Sequence, residues 1–177
     1  KSQVVNYLGG NVKLGANYNI DNHHNVFANM GYISNVPKFK NGAFMSANTS
    51  HAINPDAKNE QILSAELGYG YHNSWINLKL NGYITNWKDK AMFKKGSFAN
   101  KEQYVINMTG VDALHMGVEL EAFIRPTRWL DIAAMLSIGD WRWASKYAKG
   151  YAYDLYGNAL TSDGEITPVG ADNHASA

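Results

Sequence analysis

The segment WINLKLNGYITNW at residues 75–87 changes polarity at every second position. One set of alternate residues is apolar or small and comprises Ile76, Leu78, Leu80, Gly82 and Ile84. The other set comprises Asn77, Lys79, Asn81, Tyr83 and Thr85, and a tryptophan stands at each end of the segment. A period of two separates the sets onto opposite faces of a β-strand, whereas in a helix the apolar residues would wind around the axis. The segment therefore predicts a strand with one apolar and one polar face.

The same period recurs along the chain and predicts about six strands, at residues 11–20, 26–34, 62–72, 75–87, 104–124 and 129–139. The second of these is the least regular, because Phe27 and Ile33 fall on its polar side. The fifth is the longest, and we expect a bulge in it near Gly110. Tyr, Ile, Val, Trp and Thr in these segments also favour a pleated surface.

Short and long links alternate between the predicted strands. The short links lie at 21–25, 72–74 and 125–128, and the long links span 35–61, 88–103 and the residues from 144 onward. In an antiparallel sheet, this order places every short turn on one rim and every long loop on the other. Strands that cross an outer membrane need about 9–11 residues and are bounded by aromatic side chains. The sequence therefore predicts an all-β fold, an antiparallel transmembrane β-barrel segment with short periplasmic turns and long extracellular loops.

Composition excludes several other classes. The chain of 177 residues has no run of about 18 apolar residues, so we expect no membrane-spanning helix. Its net charge of +1 gives no electrostatic basis for binding nucleic acid. Cysteine is absent, which excludes disulfides and cysteine-based metal sites. No Ser-His-Asp or phosphate-loop pattern is present, and we expect neither an enzyme nor a cofactor.

Four stretches resemble the barrels of TonB-dependent outer-membrane receptors, in particular the versions found in Bacteroidetes: NHHNVFANMGYISNVPKF at 22–39, NPDAKNEQILSAELGYGY at 54–71, GVDALHMGVELEAFIRP at 110–126 and LSIGDWRW at 136–143. The likeness covers most of residues 10–145. These receptors often have Pro or Trp before the Glu of the second stretch, where this chain has Asn59. That departure favours receptors for siderophores, haem, cobalamin or other metal complexes over SusC-like glycan importers.

The resemblance implies a barrel of about 22 strands that surrounds an N-terminal plug. It also implies location in the outer membrane, contact with outer-membrane lipid, coupling to TonB through the plug, and import of a small-molecule or metal-complex ligand. We interpret residues 1–177 as part of such a barrel domain, with the plug and the terminal strands outside this chain.

Charged residues on the polar faces are predicted to line the lumen of the barrel: Glu66, Lys79, Glu119, Glu121 and Asp131. Two carboxylates that hydrolyse a glycoside stand about 5–10 Å apart across a cleft. Glu119 and Glu121 instead lie two apart on one strand and point the same way, so we expect them to belong to a wet wall.

Aromatic and cationic residues in the long links are the predicted ligand-binding residues: Phe39, Phe44, His51, Phe93, Lys94 and Lys95. Rings combined with positive charge suit an anionic, ring-bearing ligand such as a ferric siderophore or haem. Loop packing and contact with lipopolysaccharide are the structural alternative. His23 and His24 are adjacent in a turn with no third ligand near in sequence, so we predict exposed histidines and no metal site.

Two classes other than a receptor remain open at the level of sequence. A soluble lectin-like β-sandwich would place both rims in water. An outer-membrane lipase or protease would require a nucleophile and a base on the outer rim.

Overall fold

The computed structural model describes residues 3–44, 53–97, 102–154, 156, 160 and 165–168. These residues form strands joined in antiparallel pairs into one sheet. The strands are β1 Gly10–Asn19, β2 His24–Asn35, β3 Glu60–His72, β4 Ile76–Ser97, β5 Gln103–Thr127, β6 Leu130–Trp143, β7 Tyr147–Asp154 and β8 Glu165–Pro168. A single π-helical turn spans Phe39–Ala43. Among the described residues no helix is both long enough and apolar enough to cross a membrane.

The sheet is a meander in which β1 to β5 are neighbours in chain order. Strand β4 pairs with β5 along nearly the whole length of both. The other edge of β5 is shared, because β6 pairs with its inner half, from Ala113 onward, and β7 pairs with residues 104–109. Strands β6 and β7 together therefore act as one long partner of β5, and the prediction of about six strands is confirmed. Within the described ranges β1 meets no partner other than β2, so the sheet is open.

The strand register brings the predicted apolar sets into one continuous face. One row crosses five strands from Leu14 through Met30, Ala65 and Ile84 to Met116. The large side chains of this face are uncovered, and Leu14 and Ile138 are each 69% exposed. An apolar surface of this extent, with no second layer of the described chain over it, is suited to hydrocarbon rather than to water.

Two local irregularities end this simple alternation. Asp89 in β4 and Gly110 in β5 have positive φ angles of 55° and 74°. The β4–β5 register shifts between Trp87 and Lys90 and again between Lys90 and Met92, as an extra residue on each strand requires. The bulge expected near Gly110 is therefore present. Beyond each extra residue, odd- and even-numbered positions of the strand exchange faces relative to the part before it.

The prediction of a long loop over residues 88–103 was wrong. Strand β4 continues to Ser97 and β5 begins at Gln103. The extra residue at Asp89 explains the error, because it breaks the two-residue period by which a strand is recognised in sequence. Phe93, Lys94 and Lys95 consequently lie in a strand and not in a loop. The link after Trp143 likewise contains strands β7 and β8.

The small packed core lies beyond the bulges. Met108, Val111 and Ala148 are buried there, and Met92, Ile106 and Trp143 pack against them. Trp143 is the register partner of Ala113, so the cluster lies on the continuation of the polar face. This side of the sheet is therefore polar below the bulges, whereas beyond them it carries a small apolar core together with Lys90 and Lys94.

We predict that Leu80→Lys destabilises the full-length protein by about 2–4 kcal/mol, because it places a charge in the hydrocarbon near the bilayer midplane. Asn81→Lys is the matched control, since its side chain points to the polar face beside Glu119 and should change stability little. Urea unfolding in lipid vesicles measures both. Equal losses for the two variants would contradict the assignment of the faces.

Candidate functional site

The polar face is the first candidate site, and the sheet brings its charged residues together. Lys79 stands opposite Glu121 on β5, and Asn81 stands opposite Glu119. Glu66 lies on the same face, opposite Tyr83. A groove of 680 Å³ runs along this face, and its lining includes Lys13, Asn29, Ser64, Glu66, Asn81, Tyr83 and Glu119.

Hydrogen bonds between neighbouring strands hold the polar side chains of this face. The Asn29 amide donates to a carboxylate oxygen of Glu66 at 3.0 Å. The indole N–H of Trp141 donates to the Tyr83 hydroxyl at 2.9 Å, which links β6 to β4 across β5. These two bonds hold the Glu66 carboxylate and the rings of Tyr83 and Trp141 along the surface of the sheet, which favours a structural role.

Phe27 is the main exception to the polarity of this face, as the sequence indicated. Its ring occupies the space that a side chain at Gly68 would need. The ammonium of Lys79 lies 5.5 Å from the centroid of the same ring, a cation–π arrangement. Glycine at position 68 therefore relieves crowding on the polar face, and no phosphate-binding loop is involved.

Asp131 marks the end of the polar face nearest the short turns. Two N–H groups of the Arg125 guanidinium on β5 donate hydrogen bonds to its carboxylate, one of them at 3.0 Å. Both side chains are about half exposed, so the pair contributes little to stability. The pair joins the ends of β5 and β6 next to the hairpin turn at Arg128 and Trp129.

The rim of the long loops is the second candidate site. The rings of Phe39 and Phe44 pack together with centroids 4.7 Å apart. Phe44 is only 2% exposed, whereas Phe39 is 64% exposed. The predicted ligand residue His51 lies outside the described residues. Of this pair, only Phe39 presents a ring that a ligand could reach without displacing packed side chains.

Phe93, Lys94 and Lys95 are neighbours in β4, so alternate side chains point to opposite faces. Lys94 pairs with Ile106, which belongs to the core on the polar side. Phe93 pairs with Asn107 and Lys95 with Val105, on the other side of the sheet. The structure thus separates Lys94 from the other two predicted residues.

Lys90 is a further charged residue on the polar side, and it was not predicted from the sequence. Its ammonium lies 3.6 Å from the centroid of the Trp87 ring and 3.8 Å from a carboxylate oxygen of Glu60. Counting alternate positions from Lys79 would have placed Lys90 on the opposite face, and only the extra residue at Asp89 brings it to this one. No sequence signal short of recognising that bulge would have found it.

Residues 53–59 form a strap that contacts β7 and the π-helical turn. Asp56 is its anchor, and its carboxylate accepts hydrogen bonds from the Tyr151 hydroxyl at 2.6 Å and the Lys149 ammonium at 2.9 Å. These two bonds, with that of Tyr151 the stronger, lower the pKa of Asp56 below its ordinary value of 3.8. Asn54 ties the strap to the π-helical turn through a 3.0 Å bond from its amide to the Gly42 carbonyl.

We predict that Asp56→Asn releases the strap, because the charge-assisted bonds to Tyr151 and Lys149 together contribute about 1–3 kcal/mol. Hydrogen exchange of residues 53–59 in the full-length protein at neutral pH measures the local opening. Lys58→Gln is the matched control in the same strap, because the ammonium of Lys58 is exposed and 4.0 Å from Asp89. Its exchange should remain close to that of the wild type.

The pH dependence of the strap follows from the sign of the Asp56 shift. A carboxyl group whose pKa is lowered on folding stabilises the structure at pH values above its unfolded pKa. That contribution disappears as the pH falls from about 3.8 through the lower folded value. Hydrogen exchange of residues 53–59 in Asp56→Asn should therefore no longer show this acid transition. An acid transition like that of the wild type would contradict the role of Asp56 in holding the strap.

Taken together, a single sheet with an exposed apolar face and a charged opposite face defines the wall of a membrane β-barrel. A soluble two-sheet module would need a second sheet over the apolar face, and the described part of the chain supplies only one. Nor do its histidines and carboxylates gather in groups of three or more that could hold a metal ion.

A family model described as TonB dependent receptor-like, beta-barrel, matches residues 4–175. The chain belongs to this family of TonB-dependent receptors, as the sequence resemblance indicated. No curated protein and no solved structure matches the chain. The protein is therefore a transport receptor of the outer membrane and not an enzyme, and the family implies ligand binding there and interaction with TonB.

Proposed function

We propose that the polar face lines the lumen of a receptor that imports a metal complex, such as a ferric siderophore, haem or cobalamin, and that anionic complexes of this kind fit it best. The observation that carries this proposal is the series of cations on the polar side of β4. Lys94 is exposed near the outer end of the strand, and Lys90 lies below it against Trp87. Lys79 continues the series on the membrane-spanning part.

The surroundings of these lysines fit a ligand that combines negative charge with rings. Lys90 is bordered by the Trp87 ring and by Met92 of the small core. An aromatic face, a polarizable thioether and an ammonium are the groups that a flat, anionic complex would contact. Exposed Lys94 would attract such a ligand from solution, and electrostatic attraction of this kind raises association rates.

The wall below this site has mixed charge. It carries the carboxylates Glu66, Glu119, Glu121 and Asp131 beside the cations Lys79 and Arg125, so an anion released from the rim would meet a surface with more negative than positive groups, which would not retain it. Two buried atoms of this wall, Asn81 Oδ1 and Trp87 Nε1, have no hydrogen-bond partner among the described residues. Buried polar atoms are normally satisfied, so their presence supports a wall completed by water or by a second protein surface.

Coupling to TonB belongs to the same proposal. In this scheme residues 1–177 are part of the barrel domain, and a plug in the remainder of the receptor contacts the polar face and transmits the pull of TonB. For Phe39 and Phe93, contact with ligand stays a prediction, whereas the proposal assigns no ligand contact to Lys95, which points to the opposite face from Lys94. Import of a glycan is the alternative, and a transport assay separates it from import of a metal complex.

The test compares two adjacent lysines of β4 in the full-length receptor. Lys94→Glu should weaken ligand binding about ten-fold, which corresponds to roughly 1.4 kcal/mol. Lys95→Glu makes the same charge change on the opposite face and should leave binding nearly unchanged. Uptake of haem, a ferric siderophore, cobalamin and an oligosaccharide is measured in cells that carry either variant in place of the wild type.

Two results would count against this function. Uptake of the oligosaccharide alone would replace the metal complex by a glycan as cargo. Equal uptake by the two variants, with loss in neither, would remove Lys94 from the binding site.

A further inference from the structure

Two histidines that are far apart in sequence meet on the rim of the short turns. His23 precedes β2, and His72 is the last residue of β3. The backbone N–H of His72 donates to the His23 carbonyl at 2.9 Å, so the residues are directly opposite each other. Their ring centroids are 6.2 Å apart and the rings are inclined at 66°.

His24 takes a different position although it is adjacent to His23. It pairs with Tyr71 of β3, and its ring lies 4.9 Å from the ring of that tyrosine. Its Nδ1 is hydrogen bonded to the hydroxyl of Tyr69. Tyr69 and Tyr71 belong to the apolar face, so the bond to Tyr69 holds the His24 ring on that face, although the Tyr71 ring also lies 6.4 Å from the ring of His23.

The hydrogen bonds of His23 determine which of its ring nitrogens is available. Nδ1 lies 2.8 Å from the backbone carbonyl oxygen of His72, which can only accept a hydrogen bond. Nδ1 must therefore carry the proton, and in the neutral ring Nε2 has the free lone pair. A histidine that binds metal is commonly oriented in this way, with its other N–H donated to a carbonyl.

The turn that presents His23 is held rigidly. One carboxylate oxygen of Asp21 accepts the backbone N–H groups of His23 and His24 at 2.7 and 2.8 Å. Little ordering of the backbone is then needed when a cation binds.

From this geometry we propose that His23 Nε2 and the imidazole of His72 bind a divalent cation of the copper, nickel or zinc class. Imidazole nitrogen suits these ions, and of the three Cu²⁺ forms the strongest complexes. Both rings are exposed, so small side-chain rotations bring their nitrogens to the metal–nitrogen distance of about 2.0–2.1 Å typical of zinc. Water molecules complete the coordination.

This site is independent of the cargo proposed for the outer rim. It lies on the opposite rim of the sheet and uses none of the lysines of β4. Two protein ligands imply moderate affinity, in keeping with a site that responds to metal concentration and does not retain the ion permanently. Bound metal would also tie the β1–β2 turn to the end of β3.

The test uses Cu²⁺ as the probe and the full-length receptor in detergent. His23→Gln and His72→Gln should each weaken binding at least ten-fold. They should also reduce the number of coordinating nitrogens seen by electron paramagnetic resonance from two to one. His24→Gln removes the same chemical group from the same turn on the other face, and it should bind like the wild type.

Equal binding by all three variants, or a loss in His24→Gln as large as in the other two, overturns the site. A second measurement requires no substitution and therefore does not depend on the variants folding. Oxidation by copper and ascorbate modifies residues next to the metal, so peptide mass spectrometry of the wild type should find His23 and His72 modified before His24 and His115. Uniform oxidation of the four histidines would also refute the proposal.

Discussion

Backbone hydrogen bonds run along both edges of β5, to β4 on one side and to β6 and β7 on the other. In hydrocarbon no water can satisfy a free N–H or C=O group, so strands can cross a membrane only when they are paired in this way. Pairing also decides which side chains share a face, because directly opposed residues point the same way. The apolar surface, the charged wall and the positions of both candidate sites are consequences of this register.

Much of this arrangement could be predicted from local sequence. A two-residue period is readable wherever one face is apolar and the other polar, and it located the membrane-spanning parts of β1 to β6. It even identified Phe27 as an irregular member of the polar face, and Gly68 proves to be the residue that makes room for its ring. The family followed from longer stretches, since order and spacing across several strands carry more information than any one of them.

What could not be predicted depends on contacts between residues remote in sequence. The extra residue at Asp89 interrupts the period, so the outer part of β4 was interpreted as a loop. The partners of Asp56 lie far along the chain on β7, and nothing near Asp56 points to them. The meeting of His23 with His72 likewise exists only through the β2–β3 register.

The two extra residues of β4 and β5 have a joint consequence for how such a chain can change. The pairs Trp87–Ala113 and Met92–Met108 have the same strand register, although the register is shifted by one residue at the pair Lys90–Val111 between them. Each insertion thus compensates the other. Deleting one residue at either bulge would leave a more regular ladder in which the residues beyond keep their partners and their faces, because a bulge sets one residue aside without turning over the rest of the strand. One-residue insertions and deletions should therefore be tolerated at these two positions better than within the regular parts of β4 and β5.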